Sequence, residues 1–232
     1  MPAAPPYFRI KPVHSFEELV ATRFTAGINA LCWERQLPDG FAEIVAGLGA
    51  GADVDKLDER RLRRLRLGSA AGAAREMMLE DLRRLEAHGL RPELNCIHGY
   101  PRDDGTGPVA TDVFSFHADS APVEADTYLC TYHGSPSEGL RNEEARRCTD
   151  DPVTREALRR EFGGPDDEAF TDWLRANCYD LHYAPLPGVQ PWSFGHGHLW
   201  RIALDHPGCA VPPCIHRAPA TIAGEPRLLL IS

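Results

Sequence analysis

Two imidazoles and one carboxylate in this sequence have the types and the spacing of a metal site. His117 and Asp119 are separated by a single residue, and His216 lies near the end of the sequence. Two His and one carboxylate form the ligand set that holds non-haem Fe(II) on one face and leaves other coordination positions open. The sequence therefore predicts a metal centre with His117, Asp119 and His216 as its ligands.

The first two of these residues lie in a segment that alternates like a β-strand. Residues 113–117 alternate in type, with Gly and Pro before them and Ser, Ala and Pro after them. If residues 114–120 are extended, His117 and Asp119 project from the same face, about 7 Å apart. We expect His216 to complete the ligand set from another strand.

Three other side chains could bind an organic cosubstrate beside such a metal. Arg227 follows His216 after a turn, and its planar guanidinium suits a bidentate contact with a carboxylate. Tyr128 and Tyr132 lie in a β-prone run at 127–132 and could hydrogen-bond a 2-oxo acid. Each tyrosine is equally well explained as an ordinary aromatic residue of the core.

The first hundred residues are predicted to be mainly helical. Ser15 begins a capping-box pattern, and Asp39 could cap a helix over residues 41–48. A longer helix further on is indicated by apolar residues at helical spacing and by the glycine that follows them. The remaining elements predicted here are helices at 54–67 and 70–88 and a strand at 28–35.

The β-prone segments lie in the rest of the chain, on either side of a helical stretch. Strands are predicted within residues 94–132 and again within residues 183–232. The interruption contains two predicted helices, at 152–162 and 166–177, which Gly and Pro residues separate. The ligand-bearing strands are thus far apart in sequence.

These elements predict a mainly β fold with flanking helices, built on a double-stranded β-helix, the jelly roll of cupin-like proteins. In domain terms, residues 1–92 form a mainly helical N-terminal region that packs on the core. Residues 93–232 form the core itself, with a helical insert at 134–180. A doubly wound α/β fold is not expected, because the sequence has no Gly-rich turn of the dinucleotide or P-loop type.

Several short segments together resemble a known sequence family. They are Phe-His-Ala-Asp at 116–119, Cys-Thr-Tyr-His-Gly-Ser-Pro-Ser-Glu-Gly-Leu at 130–140, His-Arg-Ala-Pro at 216–219, Arg-Leu-Leu-Leu at 227–230 and Cys-Trp-Glu-Arg-Gln-Leu-Pro at 32–38. With these segments the chain resembles the bacterial family known as domain of unknown function 1826, over about residues 94–232. That resemblance implies the fold and the metal ligands but no activity.

The same ligand pattern and the trailing arginine resemble, more distantly, the Fe(II)/2-oxoglutarate-dependent oxygenases. This resemblance implies that His117, Asp119 and His216 bind Fe(II) and that Arg227 binds the far carboxylate of 2-oxoglutarate. It implies a non-haem dioxygenase that uses O2 to hydroxylate or desaturate a small-molecule substrate. The expected cofactors are therefore Fe(II) and 2-oxoglutarate.

A zinc site in the loop before His216 is an alternative to this hypothesis. His206, Cys209, Cys214 and His216 offer four nitrogen and sulfur ligands within a short segment, which suits tetrahedral zinc. Such a site would belong to a structural or metal-handling protein without catalysis.

Two further alternatives keep the ligands of the first hypothesis. The three residues could bind zinc and activate water, or could bind iron and support oxygenation without a 2-oxo acid. His196 and His198 precede a predicted strand, and either could line a pocket or stand in a turn. Their role and that of the Cys209/Cys214 pair stay open at this point.

Composition limits the classes of partner. The net charge of −9 is spread along the chain, which argues against nucleic-acid binding. No apolar run approaches the roughly 20 residues that span a bilayer, so no membrane association is expected. Seven Cys without framework spacing favour free thiols and a cytoplasmic location.

Overall fold

The computed structural model describes residues 7–102 and 105–232. Within them the chain forms a mixed α/β fold with two sheets, both largely antiparallel. The larger sheet consists, in spatial order, of β1 (Ile10–Val13), β2 (Ala30–Trp33), β11 (Leu199–Ala203), β6 (Asp126–His133), β13 (Arg227–Ile231), β4 (Glu93–Ile97) and β3 (Val54–Leu57).

The smaller sheet carries two of the proposed metal ligands. Its strands, in spatial order, are β10 (Trp192–Ser193), β7 (Glu138–Leu140), β12 (Ile215–Arg217), β5 (Phe116–His117), β9 (His182–Pro185) and β8 (Ala145–Arg147). The α-helices of the described chain are α1 (Phe16–Ala21), α2 (Phe41–Leu48), α3 (Glu59–Arg64), α4 (Ser69–Ala87), α5 (Pro152–Phe162) and α6 (Glu168–Ala176).

The two faces of the larger sheet pack against different partners. On β13, Leu228 and Leu230 face a core that they share with α1, α2 and α4, whereas Leu229 faces the smaller sheet. This follows from the two-residue period of a strand. Burial of one such side chain contributes about 1.5–3 kcal/mol. The inner face, between the sheets, is the one that can present side chains to the metal ligands.

Helix α4 is held on the outer face by a buried polar network as well as by apolar packing. Asp81 on α4 accepts hydrogen bonds at 2.7 Å from Arg35, which follows β2, and at 2.7 Å from the hydroxyl of Tyr132 on β6. Asp81 is almost fully buried, and these two hydrogen bonds offset the cost of burying its carboxyl group. The ring of Tyr132 also stacks on Phe41 of α2.

Most predicted elements are confirmed, and the helix at 54–67 is wrong. Residues Val54–Leu57 pair with β4 as an edge strand, and Asp58 then caps the short helix α3 by accepting from the amide of Arg61. Val54 and Lys56 are more exposed than Asp55 and Leu57, but the residue types do not alternate between apolar and polar, so the sequence did not mark the strand. The helix at 41–48 has its predicted bounds.

The N-cap of α2 also differs from the prediction, because Gly40 rather than Asp39 occupies it. Gly40 has a positive φ of 108°, and a Cβ there would lie 2.5 Å from the backbone of Ala71 in α4. Glycine is therefore required by the close approach of the two helices. Ser15 does cap α1 as predicted, accepting from the amide of Glu18.

The predicted helical segments also contain strands. Within the N-terminal region, β1, β2 and β3 join the larger sheet, and within residues 134–180, β7 and β8 join the smaller one. All seven Cys are free thiols. In the described part of the chain, every helix is too short or too polar to cross a bilayer.

Candidate metal centre

His117 and His216 lie directly opposite each other on neighbouring strands. β5 pairs with β12 at these two residues, and the ring centroids are 4.7 Å apart. Directly opposed residues share a face of the sheet. That face is the inner one, since Ile215 and Phe116 belong to a cluster on the outer side. The two imidazoles therefore project together into the space between the sheets.

Asp119 reaches the same point from the segment that follows β5. Its backbone carbonyl accepts from the amide of Asp205, and the amide of Ala118 donates to Leu181, which fixes the chain on both sides. The Asp119 carboxylate lies 3.8 Å from Nε2 of His117 and 3.7 Å from Nε2 of His216. One ligand atom from each of the three residues lies within 4.8 Å of the others.

This spacing suits one divalent ion. Because metal–ligand bonds of about 2.1 Å place neighbouring ligand atoms about 3.0–3.4 Å apart, side-chain shifts of less than ~1 Å would close the group on a single ion. Among the described residues, no fourth His, Cys or carboxylate joins the group. A bound ion would therefore keep coordination positions for exogenous ligands.

Hydrogen bonds already set the tautomer of both imidazoles. Nδ1 of His117 lies 2.8 Å from the carbonyl of Ser115, and Nδ1 of His216 lies 3.3 Å from the carbonyl of Cys214. A carbonyl can only accept, so each Nδ1 carries the proton and donates it. When such a ring is neutral, its Nε2 carries the lone pair that a metal would accept, an arrangement that outer contacts of ligating His commonly produce.

The charge states of Asp119 and His216 also suit a metal. Burial raises the pKa of Asp119, but the neighbouring His216, the hydroxyl of Thr127 at 2.7 Å and His117 together bring it below its ordinary value. Burial lowers the pKa of His216, and the attraction of Asp119 does not reverse that direction. The site thus offers an anionic carboxylate and a neutral imidazole.

An open cavity borders the ligands on the β5 side. Its volume is about 280 Å³, and its wall includes His117 and Asp119. The opposite wall comes from the end of the helical insert, at Cys178 and Leu181, and from His182 on β9. A molecule in this cavity would lie beside the metal ligands.

Arg227, the predicted carboxylate-binding residue, is buried on the inner face of the larger sheet. Its side chain is 5 % exposed, and Nη2 donates to the hydroxyls of Thr131 at 3.0 Å and Ser137 at 2.6 Å. The guanidinium forms no ion pair in the described chain, and its Nε has no hydrogen-bond partner there. Burial lowers the pKa of Arg227, with the neighbouring Tyr100 opposing the change. A buried cation without a counter-ion is costly unless an anion joins it.

The space at Arg227 is small and is covered by the loop between β12 and β13. The cavity there has a volume of about 20 Å³, enough for one water, and its wall includes Pro219–Ile222. On the other side of the same loop is a groove of about 360 Å³ that Trp192 lines. The indole Nε1 of Trp192 is a second buried donor without an acceptor in the described chain.

The structure does not bring Tyr128 and Tyr132 to this site. Both lie on the outer face of β6, in the core beneath the helices. The residues of β6 that reach the inner face are Thr127, which binds Asp119, and Thr131, which binds Arg227. The sequence analysis did not identify Thr127 and Thr131 as site residues. The two-residue period of a strand could have identified them, because it places both on the same face as Leu129, which faces inward.

The loop before His216 does not form the alternative zinc site. Cys209 donates its thiol proton to the carbonyl of Val211, and Cys214 is buried in the apolar core between the sheets, where burial raises the pKa of its thiol. His206 bonds to the carbonyl of the adjacent Pro207. In the described residues these side chains do not form a common ligand group.

His196 and His198 also lie outside the metal-ligand group. The imidazole of His196 bonds to the carbonyl of Gly134 at 2.6 Å. Nδ1 of His198 accepts from the amide of Arg35 at 3.2 Å, which links the turn before β11 to the segment after β2. Both contacts join the turn before β11 to distant segments of the chain.

The chain was compared with protein-family models, with curated proteins and with solved structures, and none matches it.

Proposed function

We propose that this chain is a non-haem Fe(II)-dependent oxygenase that uses 2-oxoglutarate and O2 to hydroxylate or desaturate a small molecule. The observation that carries the proposal is the convergence of two His and one Asp with no fourth ligand in the described chain. The buried Arg227 on the facing sheet, which has no counter-ion among the described residues, supports it. Two His and a carboxylate favour iron among the available metals. A cationic guanidinium in a dry environment favours a carboxylate ligand.

The strand order supports a double-stranded β-helix as the finer description of this fold. Four adjacent strands of the larger sheet run β11-β6-β13-β4, and four adjacent strands of the smaller sheet run β10-β7-β12-β5. From β4 to β7 and again from β10 to β13 the chain alternates between the two sheets. Eight strands wound alternately into two facing sheets are characteristic of a jelly roll.

The protein supplies positions and protonation states for the reaction. Fe(II) with 2-oxoglutarate would supply the oxidising chemistry, by coupling reduction of O2 to decarboxylation of the 2-oxo acid. His117, Asp119 and His216 would hold the ion through Nε2, a carboxylate oxygen and Nε2. The hydroxyl of Thr127 holds the carboxylate of Asp119 and so limits its rotation.

Arg227 would hold the far carboxylate of the 2-oxo acid. Its partner Ser137 lies two residues before Gly139, and Gly139 pairs directly with His216. Two residues of extended chain span about 7 Å, which is comparable with the length of a short dicarboxylic acid. The hydroxyls of Ser137 and Thr131 fix one edge of the guanidinium, and Nε is left for the ligand.

Binding of a 2-oxo acid requires the loop at 219–222 to move. The cavity of about 20 Å³ at Arg227 holds one water but not a five-carbon acid. Displacement of that loop would join the cavity to the groove of about 360 Å³ at Trp192. The organic substrate would then occupy the separate cavity beside His117 and Asp119.

Turnover of 2-oxoglutarate in the absence of an organic substrate tests the proposal. The protein loaded with Fe(II) is supplied with 2-oxoglutarate and O2, and succinate and oxygen uptake are measured. We expect slow succinate formation that is lost in His117→Ala, Asp119→Ala and His216→Ala. The exposed His14 gives the control His14→Ala, which should match the unaltered protein. Undiminished succinate in the ligand variants would refute the assignment.

The small cavity at Arg227 also favours a second candidate, an Fe(II) oxygenase that needs no 2-oxo acid. The metal ligands would be the same, and Arg227 would bind an anionic group of the substrate. Oxygen uptake, measured with and without 2-oxoglutarate on a substrate that the protein oxidises, separates the two functions. Uptake that is unchanged when 2-oxoglutarate is omitted would favour the second candidate.

A further inference from the structure

His182 lies beside the metal ligands but is not one of them. It is directly opposite His117 on β9, is 5 % exposed, and its ring centroid is 5.7 Å from that of His117. It also lines the cavity that His117 and Asp119 border. His216, His117 and His182 thus follow one another across three neighbouring strands of the smaller sheet.

Ser115 connects His182 to His117. The carbonyl of Ser115 accepts the Nδ1 proton of His117 at 2.8 Å. The hydroxyl of Ser115 donates to the carbonyl of Asp112 at 2.9 Å and lies 2.6 Å from Nδ1 of His182. A hydroxyl has a single proton, and the carbonyl of Asp112 can only accept it. Nδ1 of His182 is therefore the donor to the Ser115 hydroxyl.

On its N-terminal side the backbone of Ser115 is held by a short turn. The carboxylate of Asp112 accepts from the amides of Phe114 and Ser115, at 3.0 and 3.2 Å. On its C-terminal side the chain continues into β5, where Phe116 and His117 pair with β9. The hydrogen bond from His182 supplies a contact from a different strand.

We propose that His182 is a positioning residue that orients the metal ligand His117 through Ser115. The proposal rests on the proposed function only in requiring that the three ligands bind a metal. The His182 donor fixes the Ser115 hydroxyl, the Ser115 carbonyl then fixes Nδ1 of His117, and Nε2 of His117 points at the ion. Loss of an outer contact of this kind commonly weakens metal binding about 10- to 100-fold.

The test is Co(II) binding to the full chain, followed by the visible absorption of the bound ion. Four variants are compared with the unaltered protein: His182→Leu, His182→Asn, Ser115→Ala and the double variant His182→Leu with Ser115→Ala. We expect the Kd for Co(II) to rise about 10-fold in His182→Leu and in Ser115→Ala. The double variant should be no weaker than either single one, because both remove the same contact.

His182→Asn separates positioning from simple packing. The amide of Asn can place an N–H donor near the position of Nδ1, so it should restore Co(II) affinity to within about 3-fold of the unaltered protein. The thermal midpoint without metal is measured for each variant, and a positioning role predicts changes in Kd that exceed any change in stability. Ser115→Ala carries the test if His182→Leu does not fold.

Three results would overturn the inference: unchanged Kd values in the single variants, strictly multiplicative losses in the double variant, or no rescue by His182→Asn. Failure of the proposed function gives a different result. In that case His117→Ala would bind Co(II) as tightly as the unaltered protein does.

Discussion

At the residue scale, most of the chemistry of the site depends on which side chains of β6 face inward. Thr127 and Thr131 hold Asp119 and Arg227 on the inner face, whereas Tyr128 and Tyr132 pack beneath the helices. The types of the two tyrosines suggested a role in cofactor binding, but strand parity decides which residues reach the site. The candidate metal ligands could be proposed from the sequence because His and Asp are the residue types that bind metals.

Thr127→Val tests the role of the inner hydroxyl. The substitution removes the donor to the Asp119 carboxylate, so we expect the Kd for Fe(II) to rise about 10-fold. Anaerobic titration of Fe(II) measures it. Tyr128→Phe, one residue further along β6 and on the outer face, is the matched control and should leave the Kd unchanged. Equal effects of the two substitutions would contradict this account of the strand.

Arg227→Lys tests the predicted carboxylate contact. The substitution keeps the positive charge but loses the planar fork, so the Kd for 2-oxoglutarate should rise at least about 10-fold. Binding of Fe(II) should stay the same, because Arg227 is not a ligand. Both constants come from one anaerobic titration series. A change in Fe(II) affinity alone would place Arg227 in a purely structural role.

At the element scale, the helices and strands that apolar spacing and flanking Gly or Pro residues mark in the sequence were predicted well. The bounds of α2, α5 and β13 follow from apolar spacing, Gly and Pro. The edge strand β3 was missed because a short amphipathic strand followed by a charged helix has the composition of one longer helix. Pairing with β4, a long-range contact, determines the strand conformation.

Tyr132→Phe tests whether this tyrosine serves the helix–sheet contact. The hydroxyl donates to the buried carboxylate of Asp81, and hydrogen bonds to charged groups contribute about 1.5–3 kcal/mol. We therefore expect the free energy of unfolding to fall by about 1.5–3 kcal/mol, measured by urea denaturation. The affinity for 2-oxoglutarate should not change. If the variant instead bound 2-oxoglutarate more weakly and kept its stability, Tyr132 would have to be assigned to the cosubstrate site.

At the scale of the whole molecule, the candidate metal site connects strands β5 and β12 with the chain that follows β5. The three ligands come from two strands and a loop that are distant in sequence. That convergence could be proposed from the ligand types, but only the register of β5 against β12 places His117 opposite His216. No pattern in the residue types predicted that register, since β5 is only two residues long.

Metal binding should therefore stabilise the fold as a whole. A ligand that binds only the folded state adds about 2.7 kcal/mol at one hundred times its Kd. Thermal unfolding with excess Co(II) should show a higher midpoint that EDTA reverses. His216→Ala should show no such rise, and an equal rise in that variant would mean that the ion binds elsewhere.

The most direct test of the central claim is an anaerobic titration of Fe(II) followed by 2-oxoglutarate, with the visible spectrum recorded at each step. A 2-oxo acid chelated to protein-bound Fe(II) gives a metal-to-ligand charge-transfer band. An Fe(II) site at these residues that binds 2-oxoglutarate predicts that this band appears at one equivalent of each component and is lost in Asp119→Ala. Absence of the band with Fe(II) bound to the three ligands, or its persistence in Asp119→Ala, would contradict it.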